Sequence, residues 1–302
     1  MRNTSQFARF PAERTDYRDR PYPHLVVDDL LPKPVFDQIL AHWPGKQAFS
    51  AQDDGGRQQL SLLRQGMLQT LPRDHADFWE SFITGVVPDI VREAMAWLGR
   101  PLFDAMEPGE GEMVVSMVDL LQLSKPFEGI PAHTHYHNPL LLGTCIIYVD
   151  DAGETARGTD IHAPGAGYEE IQDSAVELAL DRATGESAHG ILQTARRVPF
   201  EVNRSLILMD GPISWHGATA APSPPGPRRQ IIINWALGER WMEQRHGVSF
   251  GQFQEDRVLK TNDDVTRERV IRDIDRQLAE REYSLAAART LFETVPISVT
   301  GR

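Results

Sequence analysis

Cysteine is nearly absent: Cys145 alone in 302 residues leaves no partner for an internal disulfide. No apolar run approaches the ~18 residues of a spanning helix, which excludes an integral membrane protein. The N-terminal stretch MRNTSQFARFPAERTDYRDR has no apolar core of signal-peptide length. These absences predict a cytoplasmic, reducing location. A dense Lys/Arg block is also missing, and 31 basic against 43 acidic residues give a net charge of −12, so nucleic acid is not the expected partner. There is no Gly-rich phosphate loop, no Cys-x-x-Cys pair and no Gly-x-Ser-x-Gly elbow. Nucleotide hydrolysis, zinc-ribbon and serine-hydrolase readings therefore lack support.

What is present is an ordinary globular composition, 41% hydrophobic and 25% charged, enough to bury one sizeable core and to exclude disordered or coiled-coil chains. Residues 1–20 are charged and aperiodic and are expected to form a loose arm before a single domain over residues 21–302. Tyr22–Pro32 reads as a short β run leading into a helix near Pro34, with Val35, Phe36, Ile39, Leu40 and Trp43 on its apolar face. After a Gly/Gln/Arg-rich stretch (54–67), Asp74 is placed to cap a long helix through about Leu98, with Pro88 as a kink. Helical support is thus expected over 33–99. From Met113 the period becomes strand-like over Met113–Leu123, Gly129–His137, Gly143–Asp150, Val198–Met209 and Gln230–Leu237, a β core spanning 113–238. The Gly-, Ala- and Glu-rich segment 151–197 reads as a lid or insert with one short helix at Ile171–Arg182, and residues 262–294 read as C-terminal helices.

The chemistry concentrates in histidine. Of ten histidines, His133, His135 and His137 fall in Ala-His-Thr-His-Tyr-His-Asn. On an extended strand, residues i, i+2 and i+4 share a face, so all three imidazoles would point one way, which suits a metal ion. Downstream, Asn203-Arg-Ser-Leu-Ile-Leu-Met-Asp-Gly-Pro-Ile-Ser reads as the end of a buried strand and a turn that deliver Trp215-His216-Gly217. A Pro-rich loop then leads to Arg228-Arg229-Gln-Ile-Ile-Ile-Asn-Trp. An arginine opening a core strand is costly to bury without an anion, so the pair predicts a carboxylate ligand. Cys145 lies within an apolar strand and reads as packing. His24, His42, His75, His189 and His246 have no partner spacing and read as surface or capping residues.

Together these segments resemble the Fe(II)- and 2-oxoglutarate-dependent oxygenases, most closely the bacterial prolyl-hydroxylase-like group, over roughly residues 20–238. YPHLVVDDLLPKPVFDQILAHWP resembles the group's opening strand and helix, and GIPAHTHYHNPLLLGTCIIYV its His-x-Asp strand and the strand after it. ARGTDIH is similar to its Gly-Thr segment, and VNRSLILMDGPISWHGATAAP…GPRRQIIINW to its distal-histidine and cosubstrate-arginine strands.

The resemblance implies a mainly β chain with flanking helices (α+β) and a double-stranded β-helix, or jelly roll, core. It implies Fe(II) and 2-oxoglutarate as cofactors, O2, and a small-molecule or peptide substrate. His216 matches the distal metal ligand, and Arg228 or Arg229 the cosubstrate arginine; adjacent strand residues face opposite sides, and the register that chooses between them is not local. The chain departs from the family at the carboxylate, where it offers His133-x-His135 or His135-x-His137. That leaves a three-histidine site, a two-histidine site open to water or halide, or an inactive relative. Asp160 and His162 are remote alternatives that read better as strand-edge residues. A 2-oxoglutarate-independent three-histidine dioxygenase and a non-catalytic metal- or ligand-binding jelly roll remain the competing functions.

Overall fold

The computed structural model describes residues 9–51, 57–99, 111–123, 130–133, 141–150, 158–164, 192–210, 214–218, 228–238 and 284–300. Thirteen strands are resolved among these residues: β1 (Thr15–Arg18), β2 (His24–Val27), β3 (Ser50–Ala51), β4 (Arg57–Ser61), β5 (Met113–Leu123), β6 (Ile130–His133), β7 (Leu141–Tyr148), β8 (Thr159–Pro164), β9 (Leu192–Val198), β10 (Ser205–Met209), β11 (His216–Ala218), β12 (Arg228–Leu237) and β13 (Ile297–Val299). The helices are α1 (Lys33–Ala41), α2 (Arg73–Ser81), α3 (Val87–Leu98) and α4 (Leu285–Thr294).

The strands form two sheets. The larger runs β1-β2-β10-β7-β12-β5-β4-β3 with β13 beside β5, and the smaller runs β6-β11-β8-β9. From β5 to β12 the chain passes back and forth between them, β5, β7, β10 and β12 in one and β6, β8, β9 and β11 in the other, with antiparallel neighbours. That is the expected jelly roll.

Why these segments become strands follows from what covers them. β7 is buried at every position, because one face of the large sheet is covered by helices and the other by the small sheet. Its outward residues Cys145 and Ile147, with Ile207, Ile231 and Ile233, pack with Val87, Ile90, Val91, Ala94 and Met95 of α3. Its inward residues Ile146 and Tyr148 join Leu206, Leu208, Ile161, Val198 and Phe200 in a second core between the sheets. Cys145 is a packing residue there, its thiol pushed up by burial. No helix among the described residues is long and apolar enough to cross a membrane.

Several expectations are corrected. Part of the expected N-terminal arm is built into the fold: Phe10 is buried, and Thr15–Arg18 adds β1 to the large sheet by pairing with β2. Leu40 of α1 is exposed rather than on the buried face. Asp74 lies inside the first turn of α2, whose N-cap is Pro72. The long helix is split by a wide turn at Phe82–Val86, where the Val87 N–H donates to Phe82 O; the extra residue absorbs Pro88, which has no N–H to return. The Gln/Arg-rich stretch contributes β4.

Val198–Met209 is two strands, because Pro199 follows Val198 and Asn203 takes a left-handed turn (φ 57°). Asn203 clamps that turn to Leu31, accepting from its N–H at 3.0 Å and donating to its carbonyl at 2.8 Å. The segment 151–197 is not simply an insert, since Thr159–Pro164 and Leu192–Val198 are core strands of the small sheet. The helix expected at Ile171–Arg182, and the part of the C-terminal helical stretch before residue 284, lie outside the described residues.

Gly158, at the start of β8, gives a direct test of this packing. A Cβ there would sit 1.9 Å from Val198 O and 2.9 Å from Phe200 N, backbone atoms that cannot rotate away. Gly158→Ala is expected to destabilise the fold by about 1–3 kcal/mol or more, read as a lowered denaturation midpoint at unchanged slope. A midpoint equal to wild type would show that the β8–β9 contact is looser than described.

Candidate metal centre and cosubstrate pocket

The small sheet brings two of the candidate ligands together. β11 pairs with β6 so that His216 stands opposite His133, and their ring centroids are 4.5 Å apart. Opposed residues of an antiparallel pair project to the same face, so both imidazoles enter the space between the sheets. His216 is 4% exposed, and its Nδ1 lies 2.9 Å from Ser214 O. A carbonyl only accepts, so the proton sits on Nδ1 and Nε2 keeps its lone pair, as in a metal-ligating histidine oriented by its other nitrogen.

A cavity of about 130 Å³ lies against this pair. β12 lines it with alternate residues, Arg228, Gln230, Ile232 and Asn234. That alternation separates the two arginines. Arg228 is 2% exposed, with its guanidinium over the Phe200 ring at 5.8 Å, and Phe200 in turn stacks on Tyr148 at 4.4 Å. Arg229 points to the other side, where Asp150 takes it bidentately, Nε donating to Oδ2 at 3.0 Å and Nη2 to Oδ1 at 2.5 Å, and Trp43 covers its carbon at 5.3 Å. The cavity therefore holds one arginine of the pair, Arg228. Burial pushes its pKa down, but guanidinium stays charged at any working pH.

Of the other candidates, His135 and His137 lie outside the described residues. Asp160 and His162 sit on β8 between β11 and β9, so they are interior to the sheet rather than on its edge. They alternate with Thr159 and Ile161 and do not line the cavity, and Arg197 holds the Asp160 carboxylate at 2.6 Å. No group of three His, Cys, Asp or Glu side chains suited to a metal ion forms among the described residues.

Sequence reasoning missed two cavity residues. Arg57 comes from β4, in a stretch without periodic signal. Asn234 was marked by the polar break in Ile-Ile-Ile-Asn-Trp, and its buried Oδ1 has no hydrogen-bond partner among the described residues.

Solved structures similar to this chain include the non-heme alpha-ketoglutarate-dependent carbocyclase SnoK from nogalamycin biosynthesis, with 12% identity, 70% of this chain and 79% of that one covered, and a TM-score of 0.45. A 2OG-Fe(II) oxygenase family oxidoreductase from Burkholderia pseudomallei has 10% identity, coverage of 70% and 84%, and a TM-score of 0.44. A prolyl-4-hydroxylase from Pseudomonas putida has 10% identity, coverage of 70% and 91%, and a TM-score of 0.43. No family model and no curated protein matches the chain.

His24 corrects a further expectation, because it is fully buried rather than a surface residue. Arg196 can only donate, so His24 Nε2 accepts from it at 3.2 Å while Nδ1–H donates to Tyr22 O at 2.8 Å. Arg196 also pairs with Asp16 of β1 at 2.6 Å, so neutral His24 helps tie the first strand to β9. Burial, with Arg196 and Arg18 adding to it, holds the His24 pKa below its usual 6.5.

In acid the unfolded chain takes up a proton that folded His24 refuses, so stability falls as pH drops below about 6.5. His24→Gln removes that uptake. Its deficit against wild type should narrow between about pH 8 and pH 5 in chemical denaturation, whereas a constant deficit would refute a neutral buried His24.

Proposed function

We propose that the chain is an Fe(II)- and 2-oxoglutarate-dependent oxygenase that oxidises a C–H bond of its substrate. The observation that carries this reading is the convergence of His133, His216 and Arg228 on one cavity between the two sheets of a jelly roll. The residues suit the group they would hold: two imidazoles side by side, one with its proton fixed away from the site, and a buried guanidinium for a carboxylate. His135, two residues beyond His133, occupies the place of the family's carboxylate and is proposed as the third ligand, which makes the short-spaced pair His133-x-His135 and leaves His137 outside the ligand set.

The metal, when bound, supplies the coupling of substrate oxidation to decarboxylation of 2-oxoglutarate by O2, one oxygen atom going to the substrate and the other to succinate as CO2 leaves. The protein's part is placement. Arg228 fixes the far carboxylate of the cosubstrate as a charge-assisted bidentate pair, and its seat against Phe200 and Tyr148 keeps the guanidinium aimed inward. Ile146, Ile232, Met117 and Leu121 give the cavity an apolar wall that limits water at the reacting centre.

Fe(II)-loaded protein given 2-oxoglutarate in air is expected to form succinate, and to form none anaerobically or without metal. O2 consumption without 2-oxoglutarate would instead favour a three-histidine dioxygenase. Absence of both 2-oxoglutarate binding and O2 consumption would leave only a non-catalytic binding domain.

A further inference from the structure

His216 is carried by a short strand. β11 is three residues long, and its register against β6 shifts between His216 and Ala218. Ser214 O aims the imidazole through Nδ1, and the backbone beneath it is held separately, at the carbonyl of Trp215. The His162 N–H of β8 donates to that oxygen at 2.9 Å. The hydroxyl of Tyr22, 193 residues earlier in the chain, donates to it at 3.0 Å. A carbonyl oxygen has two lone pairs, and these are two donors for them. Because the peptide unit is planar, fixing the Trp215 oxygen fixes the plane that contains the His216 N–H and Cα.

Tyr22 is firmly seated for this task. It is 3% exposed and belongs to the core between the sheets, with Val26, Ile146, Ile161, Leu206 and Leu208. Burial, with the Asp210 carboxylate adding to it, pushes its pKa up, so the hydroxyl keeps its proton at any working pH. Its main chain is tied to the large sheet: Tyr22 O accepts from His24 Nδ1 at 2.8 Å, and the adjoining Pro23 O accepts from the Met209 N–H, at the end of β10, at 3.1 Å. The residue therefore bridges the sheets, with its backbone beside β10 and its hydroxyl at the entry to β11. Through His24, Arg196 and Asp16 the same contact chain continues to β1.

We infer that Tyr22 is a positioning residue of the metal centre, its hydroxyl holding the Trp215 carbonyl so that His216 meets the metal. The inference rests on the metal centre of the oxygenase reading above and extends that centre to the N-terminal segment. A buried tyrosine that served packing alone would need only its ring. Phenylalanine supplies the ring without the donor, so Tyr22→Phe separates the two roles.

The full chain, stripped of metal by a chelator, is titrated calorimetrically with Co(II), and the visible absorption of the loaded protein is recorded. Tyr22→Phe is expected to bind Co(II) about tenfold more weakly than wild type, the lower end of the cost of losing an outer partner of a ligand, and to show shifted absorption bands. Asn203→Gly is the comparison. It removes the clamp on Leu31, suits the left-handed turn, and does not line the cavity. It should lower the denaturation midpoint at least as far as Tyr22→Phe does, while keeping wild-type Co(II) affinity and bands.

Wild-type affinity or wild-type bands in Tyr22→Phe overturn the inference. So does an equal loss of affinity in Asn203→Gly, which would make metal binding a reflection of overall stability. Failure of the wild-type chain to take up Co(II) sinks the metal centre and this inference together, whereas uptake that ignores Tyr22→Phe sinks this inference alone.

Discussion

Arg228→Gln is expected to weaken 2-oxoglutarate binding by about 2–5 kcal/mol, roughly 30-fold to several thousand-fold, while Arg229→Gln leaves it within experimental error. The two residues are neighbours in sequence and equal in charge, so net charge cannot account for a difference between them. Geometry can: Arg228 lines the cavity, whereas Arg229 is engaged by Asp150 on the opposite face of the sheet. Glutamine keeps part of the aliphatic stem and removes the guanidinium that lies over Phe200 and would grip a carboxylate. Arg229→Gln should show its effect in stability instead, about 1 kcal/mol, because it breaks a part-buried bidentate pair. Calorimetric titration of 2-oxoglutarate into the Ni(II)-loaded variants reads the first effect and chemical denaturation the second. Equal 2-oxoglutarate affinity in both variants would remove Arg228 from the cosubstrate site.

His216→Ala and His133→Ala should each lower metal affinity by at least about 100-fold and abolish succinate formation. Removing a partner that only orients a ligand already costs about 10–100-fold, and these two are proposed as ligands themselves. Cavity loss alone cannot mimic the result, since denaturation of each variant reports stability separately from metal affinity. His135 completes the test: His135→Ala should lose the metal, and His135→Asp should keep it, because a carboxylate at that place restores the common two-histidine, one-carboxylate set. His137→Ala should bind metal as wild type does. If His133→Ala and His216→Ala both bind one Fe(II) with native affinity in anaerobic titration, the centre described here does not exist.

Much of the β core was legible from residues alone. Met113–Leu123 reads as a strand at the limits it has in the fold, and Cys145 reads as the packing residue it is. Both are local signals: a run of β-branched and aliphatic residues bounded by turn formers, and an apolar setting for a thiol. The errors came where distant partners decide. Thr15–Arg18 has a charged, aperiodic look and becomes a strand because β2 offers it an edge. Thr159–Pro164 and Leu192–Val198 are short and part polar, with a long intervening segment, and they are strands because they pair with each other and β8 also pairs with β11. Val198–Met209 reads as one strand by its apolar content, although Pro199 and the left-handed Asn203 are what separates β9 from β10.

By itself, the sequence determined the types of the main elements and the inventory of the site: a histidine cluster, a Trp-His-Gly turn and an arginine pair opening an apolar strand. Tertiary structure alone decided which members of that inventory meet. His133 rather than another histidine of the cluster stands opposite His216 because of the β6–β11 register. Arg228 rather than Arg229 faces the cavity because the pairing of β12 with β5 and β7 sets its parity. Arg57 joins them from a strand far away in the chain. The physical reason is the same in each case: the side-chain period of a strand is two, so a one-residue change of register exchanges its faces. Register is fixed by hydrogen bonds to strands remote in sequence, which no local pattern encodes.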